Sequence, residues 1–253
     1  MKASRLDEME QFIIEHRSVE LETLCEHFGI SVSTARRDLD ALVERGRVTK
    51  VYGGVKALDI PVGGMPLLSY EERDFVNREE KQYICEKAAA FVEEGDIIYI
   101  DTGTSSIGMI DFIKDIPCTI ITNSLAVANR AALHEKINMI MLPGRFIRKT
   151  RSFIDPEVEQ YLSSLNVDKA FMATTGFSLK TGLTNASEGE FLMKKAVVHA
   201  SNQIYLLADH DKFERRALYT FCNFSDIDAL ITDRRPSDEY VDYCEKHNIT
   251  LIY

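Results

Sequence analysis

SVSTARRDLD, residues 31–40, decides how the first part of this chain is read. Small hydroxyl residues lead into adjacent arginines, the composition of a helix whose first turns meet DNA. On a helical wheel, Ala35, Leu39, Leu42 and Val43 share one face and suit packing on neighbouring helices. Ser33, Arg37 and Asp40 point away from that stripe, and Thr34 and Arg36 flank it. Arginine suits base and phosphate recognition because its planar fork bonds two acceptors together. The competing reading pairs Arg36 with Asp40 at i, i+4 on a solvated face.

The surrounding residues favour the first reading. RLDEMEQFIIEH (5–16) spaces Leu6, Met9, Phe12 and Ile13 as a helix does, and LETLCEHF (21–28) forms a second helix ended by Gly29. A third helix runs to about Arg45, and RVTKVYGGVK (47–56) alternates around Gly53-Gly54 as a hairpin. Three helices and a hairpin predict a winged helix-turn-helix over 1–57. The chain carries a net charge of -10, which lowers the expectation of DNA binding unless basic residues are concentrated. They are: residues 1–34 carry three basic against seven acidic side chains, residues 35–56 six against three. Ser31, Ser33, Thr34, Arg36, Arg37, Lys50 and Tyr52 are the candidate DNA-binding residues.

Residues 58–74, rich in Pro and Gly at the start, read as a linker. From 75 to 253, short apolar runs alternate with helical patterns. The runs are Ile97–Ile100, Thr119–Thr122, Ile137–Leu142, Ala170–Thr174, Ile204–Ala208, Ala229–Thr232 and Thr250–Tyr253; helices fit near 78–93, 105–114, 124–134, 156–164, 188–201 and 237–247. This predicts an α/β domain with a largely parallel sheet. DTGTSS (101–106) follows a strand and opens a helix, so its backbone N–H groups and the hydroxyls of Thr104, Ser105 and Ser106 suit a phosphate; an ordinary helix N-cap accounts for it equally well. TNSL (122–125) repeats the grammar with Asn123 and Ser124, TTGFS (174–178) places Gly176 at a third strand end, and LADHDKF (207–213) places Asp209 and Lys212 at a fourth. Lys194 reaches the same rim from its helix, and Arg148 and Arg151 suit an anion or a solvated loop. Asp209, Lys194 and Lys212 suit acid–base chemistry on a sugar phosphate, which keeps an isomerase or transferase as the rival reading. His210, beside Asp209, is expected to be structural or solvent-facing.

No nucleophile–base pair, metal-ligand cluster or dinucleotide fingerprint stands out, so neither metal nor cofactor is expected. Five scattered cysteines fit buried apolar roles, not a disulfide framework. The charged first residues lack a signal-peptide pattern and no apolar run approaches ~20 residues, giving a cytoplasmic expectation with no membrane partner.

EHFGISVSTARRDLDALVERGRVTKVYGGV resembles the N-terminal winged helix of DeoR-family transcriptional repressors, through the paired arginines, the following Asp-Leu and the Gly-Gly of the wing. Ala35 stands where the family usually has a larger branched residue. DTGTSS, TNSLAVA, GLTNASEGEFLMKKA and LLADHDKF resemble that family's effector domain, related in fold to ribose-5-phosphate isomerase. The resemblance implies a repressor of a carbohydrate catabolic operon, acting as a dimer or tetramer on double-stranded operator DNA and released by a phosphorylated sugar. Asp101, Gly103, Thr104, Ser105, Asn123, Ser124, Lys194, Asp209 and Lys212 are the pocket residues it carries over. VYGGV, TRSF, DKAFMATTG and YLLADHDKF further resemble the inositol-catabolism repressors, implying a phosphorylated keto sugar acid. LPGR (142–145) and TTGF (174–177) depart from the family's usual loops, so the effector is not inherited from an average member. Repression and activation are not separable from sequence.

Overall fold

The computed structural model describes residues 2–16, 18–44, 48–51, 53–57 and 70–253. It divides into two compact units, Met1–Leu68 and Ser69–Tyr253.

In the first unit, α1 (Lys2–His16), α2 (Leu21–Phe28) and α3 (Val32–Glu44) accompany a sheet of β1 (Ser18–Glu20), β2 (Val48–Val51) and β3 (Gly54–Ala57), in the order β1-β3-β2. Leu6, Met9 and Ile13 of α1 close a core with Leu24, Leu39, Leu42, Val48 and Val55. Gly29 takes a left-handed conformation (φ 61°) that ends α2, and Ser31 caps α3 by accepting from Thr34 N at 3.3 Å. β1 was not expected, because three residues carry no readable period. It explains the wing's paired glycines. Gly53 supplies a positive φ of 80° for the turn, whereas a Cβ on Gly54 would lie 2.3 Å from the Val19 carbonyl oxygen.

The second unit is a three-layer α/β structure. Its chain order is α4 (Tyr70–Phe75), α5 (Arg78–Ala89), β4 (Ile97–Ile100), α6 (Met109–Ile113), β5 (Cys118–Thr122), α7 (Leu125–Ala131), β6 (Ile137–Met141), β7 (Arg145–Ile147), β8 (Ser152–Ile154), α8 (Val158–Leu162), β9 (Val167–Ala173), β10 (Gly176–Ser178), β11 (Gly182–Asn185), α9 (Glu188–Ala200), β12 (Ser201–Leu207), β13 (Tyr219–Cys222), β14 (Ala229–Ile231), α10 (Asp238–His247) and β15 (Thr250–Ile252). Each of the seven apolar runs supplies one strand of a seven-stranded sheet, β15-β14-β12-β9-β4-β5-β6. All its pairings are parallel. One core packs Val158, Leu162, Met193, Val197, Tyr240 and Cys244 on one face of the sheet; the other packs Ile84, Cys85, Ile110, Ile113, Val127 and Ala131 on the opposite face.

Two expectations are corrected. Tyr70–Phe75 is helical and opens the second unit, although it fell inside the stretch read as linker; residues 58–69 lie outside the described residues. DTGTSS does not run straight into a helix. Residues 103–111 make i→i+3 turns (Ser106 N to Gly103 O at 3.2 Å, Met109 N to Ser106 O at 3.1 Å), and α6 begins only at Met109. So short a helix adds little macrodipole, and free backbone N–H groups would carry any anion contact there. Arg148 and Arg151 lie in the turn of an unforeseen hairpin, β7–β8, and a second small sheet, β10-β11-β13, flanks the core.

Candidate functional site

In the first unit, Ala35, Leu39 and Leu42 bury the inner face of α3 while Ser31, Ser33, Arg36 and Arg37 are exposed and Thr34 is half-buried. Ser31 Oγ is engaged with Thr34 N, with Ser33 Oγ at 3.0 Å and with Thr34 Oγ1 at 2.9 Å. Its first task is therefore to cap the helix. Arg36 and Lys50 share a hollow with Val51, Gly53 and Gly54, so helix and wing present one surface. Tyr52 lies outside the described residues.

The two acidic residues of SVSTARRDLD take different partners. Asp38 is buried and accepts from Arg5 Nε (3.1 Å) and Nη2 (2.6 Å), fastening α3 to α1. Asp40 pairs with Lys50 and not with Arg36. The i, i+4 pair of the competing reading is absent because the folded wing brings an ammonium to the carboxylate. Among the described residues, Arg36 and Arg37 have no ion-pair partner and remain available for phosphate or base edges.

In the second unit, strand order reverses between β4 and β9, and such a switch point at strand C-terminal ends is where parallel sheets bind ligands. Asp101 follows β4 and is buried there. Its Oδ2 accepts from Ala173 N at 2.9 Å and from Lys194 Nζ. Lys194, buried on α9, also donates to Ala173 O at 2.7 Å and lies 5.3 Å from the Phe221 ring centroid. The pair bolts α9 to the crevice floor. Gly103 is required by close approach: a Cβ would lie 2.1 Å from Ala173 Cβ.

Several predicted site hydroxyls are consumed by the fold. Ser106 Oγ donates to Asp101 O and Gly103 O at 2.8 and 2.9 Å, and Ser124 Oγ caps α7 by accepting from Val127 N at 3.3 Å. Asn123 is a strut, accepting from Tyr99 OH at 2.8 Å and donating to Phe153 O at 2.9 Å. Thr104 Oγ1 donates to Arg73 O at 3.4 Å, while the buried Ser105 receives the Cys85 thiol on its carbonyl at 3.2 Å. Gly176 does admit a close backbone approach, but to Arg215, whose carbonyl oxygen would lie 2.6 Å from a Cβ. Arg148 is exposed; Arg151, at φ 52°, sets its guanidinium 5.1 Å from the Tyr70 ring centroid.

Asp209 is buried beyond β12 and accepts from Asp211 N at 3.0 Å, opening a single 3-10 turn that carries Lys212. His210 is structural: its N–H and Nδ1 both meet Asp233, at 2.7 and 2.8 Å. The crevice also holds residues absent from the sequence reading. Lys81 of α5 is buried and donates to Val76 O at 2.6 Å and to Arg73 O. Burial lowers its pKa to about 8, opposed by Asp209 and reinforced by Lys212. Burial likewise lowers Lys212 and raises Tyr70 to about 12. Arg73, Lys81 and Lys212 thus share one neighbourhood. Asn185 accepts from Thr175 Oγ1 at 2.8 Å, yet its Nδ2 is buried without a partner among the described residues. No residue pattern before folding joins these positions, which come from four separate elements. Among the described residues no group of His, Cys, Asp or Glu is arranged to hold a metal, and no helix is long and apolar enough to cross a membrane.

A winged helix with an exposed basic face, in a chain whose second unit is an α/β domain with a polar strand-end crevice, defines a DNA-binding regulator with a sensor domain. The DeoR-like helix-turn-helix domain matches residues 5–60, and the DeoR C terminal sensor domain matches residues 76–234. The chain belongs to the DeoR family of transcriptional regulators, and its role is regulatory, not enzymatic. It is 38% identical over 252 residues to the HTH-type transcriptional regulator IolR of Bacillus subtilis, covering 99% of both chains. It is 30% identical over 248 residues to the HTH-type transcriptional repressor GlcR of the same organism, covering 98% of this chain and 95% of that one. A ribose 5-phosphate isomerase A from Methanocaldococcus jannaschii superposes with a TM-score of 0.41 and 19% identity, over 54% of this chain and 55% of that chain.

Proposed function

We propose that the chain is a cytoplasmic repressor of a carbohydrate catabolic operon, binding operator DNA through α3 and the wing as a dimer or tetramer, and released by a phosphorylated sugar held at the β4–β9 crevice. The observation that carries the reading is the concentration of Arg73, Lys81 and Lys212 where strand order reverses, against the buried carboxylate of Asp209. An excess of cations in a desolvated crevice suits a phosphate dianion. Asp101, Gly103, Thr104, Ser105 and Asn185 line or shape the sugar end, and Lys194 holds Asp101 in place. Repeated operator half-sites fit a symmetric oligomer. Similarity to IolR, together with the segments that resemble inositol-catabolism repressors, supports a phosphorylated keto sugar acid as the first effector to test.

By linkage, an effector that weakens operator binding is itself weakened equally by operator. A thermal-shift screen of phosphorylated sugars and sugar acids against the full chain tests this. The effector at about 100 times its Kd raises stability by about 2.7 kcal/mol, and the same compound displaces the chain from operator DNA. A response to an unrelated ligand class, with none to any sugar phosphate, would overturn it. Turnover of sugar phosphates at ordinary enzyme rates would favour the isomerase rival.

A further inference from the structure

Residues 143–154, PGRFIRKTRSFI, hold Arg145, Arg148, Lys149 and Arg151 and no acidic side chain, in a chain of net charge -10. They contain the β7–β8 hairpin, whose turn opens with Arg148 and Lys149 and closes as Arg151 N donates to Arg148 O at 3.3 Å. Arg145, Arg148 and Lys149 are exposed, and their side chains have no ion-pair partner among the described residues. A cationic cluster left unpaired on so acidic a chain marks a surface for an anion.

The hairpin displays these cations on a fixed backbone. Phe153 N donates to Asn123 O at 2.8 Å and Leu125 N to Arg151 O at 3.0 Å, which fastens the ribbon to the loop after β5. Phe146 and Phe153 face each other across the two strands, with ring centroids 5.2 Å apart. A surface already ordered loses less entropy when a partner meets it.

The turn is also joined to the start of α4. Tyr70 N donates to Lys149 O at 3.1 Å, and Tyr70 is the first residue of that helix. Residues 58–69 link β3 of the wing to Tyr70, a path of about 45 Å at full extension. One turn of duplex spans about 35 Å. When α3 and the wing engage DNA, phosphates beside their site therefore fall within the hairpin's tether. A duplex offers one negative charge per ~1.7 Å of its axis, a denser anion than the carboxylates of a second copy.

We propose that the β7–β8 turn is a second DNA contact, in which Arg148 and Lys149 meet backbone phosphates flanking the site bound by α3 and the wing. This rests on reading α3 and the wing as the operator-binding surface. Two adjacent cations on a turn add affinity that does not depend on base sequence.

The probe is the duplex most enriched by the full chain from a random-sequence pool. It is used bare and extended by about 15 random base pairs on each side, one and a half turns. Fluorescence anisotropy over a salt series reads affinity and the slope of log affinity against log salt. Arg148→Gln with Lys149→Gln is expected to bind the extended duplex about tenfold more weakly, with the slope reduced by about two, and to bind the bare duplex as wild type does. Lys180→Gln with Lys246→Gln removes the same charge from other exposed positions and is expected to match wild type on both. Wild-type affinity and slope for the hairpin variant on the extended duplex overturn the proposal, and so does an equal loss on the bare duplex or in the control variant. A changed oligomeric state on gel filtration makes the turn a contact between copies. Loss of the wild-type thermal shift by inorganic phosphate places Arg148 or Lys149 at the effector instead. Either result overturns the DNA assignment. Should the double variant not fold, Arg148→Gln alone is expected to reduce the slope by about one, and an unchanged slope overturns the proposal. If the wild type enriches no duplex, the operator-binding reading fails and this assignment with it.

Discussion

Lys194 and Asp101 meet as a buried ion pair across 93 residues of chain, and Lys194 shares its ammonium with the Ala173 carbonyl. The loop after β4, the end of β9 and the helix α9 are thereby fixed at one point. Removing Lys194 leaves a buried carboxylate with fewer donors. Lys194→Met should destabilise the second unit by about 3–5 kcal/mol, read as a shift in its urea transition. Asp101→Asn combined with Lys194→Met should cost less than the sum of the single changes. Additive losses would show that the two side chains do not act as a pair.

Arg37 is exposed on α3 and has no partner among the described residues. Arg37→Ala should cost about 1–3 kcal/mol of operator affinity if the fork reads a base. Fluorescence anisotropy on the operator and on a scrambled duplex separates the outcomes. An equal loss on both assigns Arg37 to phosphate alone, and no loss on either removes it from the interface.

Lys50 is exposed but paired with Asp40. Lys50→Ala should weaken binding to all duplexes alike and flatten the dependence of log affinity on log salt by about one. Asp40→Asn removes a negative charge and frees the same ammonium, so it should strengthen binding to every duplex and steepen that dependence. Binding weakened by Asp40→Asn would mean that the pair orders the wing for contact.

Lys81 supplies a pH dependence with a definite sign. Its folded pKa, about 8, lies below its ordinary 10.5 because of burial, so between these values the unfolded chain binds more protons. Stability from this group therefore rises with pH from about 8 to 10.5. Phosphate affinity falls over the same range, since the neutral amine no longer attracts an anion. Phosphate titrations at pH 7 and 9.5 check this, and Lys81→Met should flatten the difference. A wild-type affinity independent of pH would exclude Lys81 from the anion's field.

The main sheet was legible because its inner strands are buried on both faces and read as short apolar runs, as in Ile97–Ile100 and Ile204–Leu207. The two-faced α3 was legible because Ala35, Leu39 and Leu42 keep one period while hydroxyls and arginines keep another. β1, the β7–β8 hairpin and the small sheet were not legible, since their short strands mix polar and apolar residues with neither an apolar run nor a readable turn signal and exist only through their partners. The crevice was half legible. Strand-end loops announced where it is, but not which hydroxyls were free: Ser31 and Ser124 cap helices, and Ser106 closes its own loop.

The sequence by itself determined the two units, the strand–helix alternation and the exposed, basic face of α3, because local periodicity and local charge density are written along the chain. Only the tertiary structure decided the partners. Asp40 took Lys50 from the wing instead of Arg36 on its own helix, Asp38 took Arg5, and Lys194 took Asp101. It also brought Arg73 and Lys81, from a stretch with no motif, to the crevice beside Lys212. Charges choose partners by distance and burial, and both are properties of the folded chain.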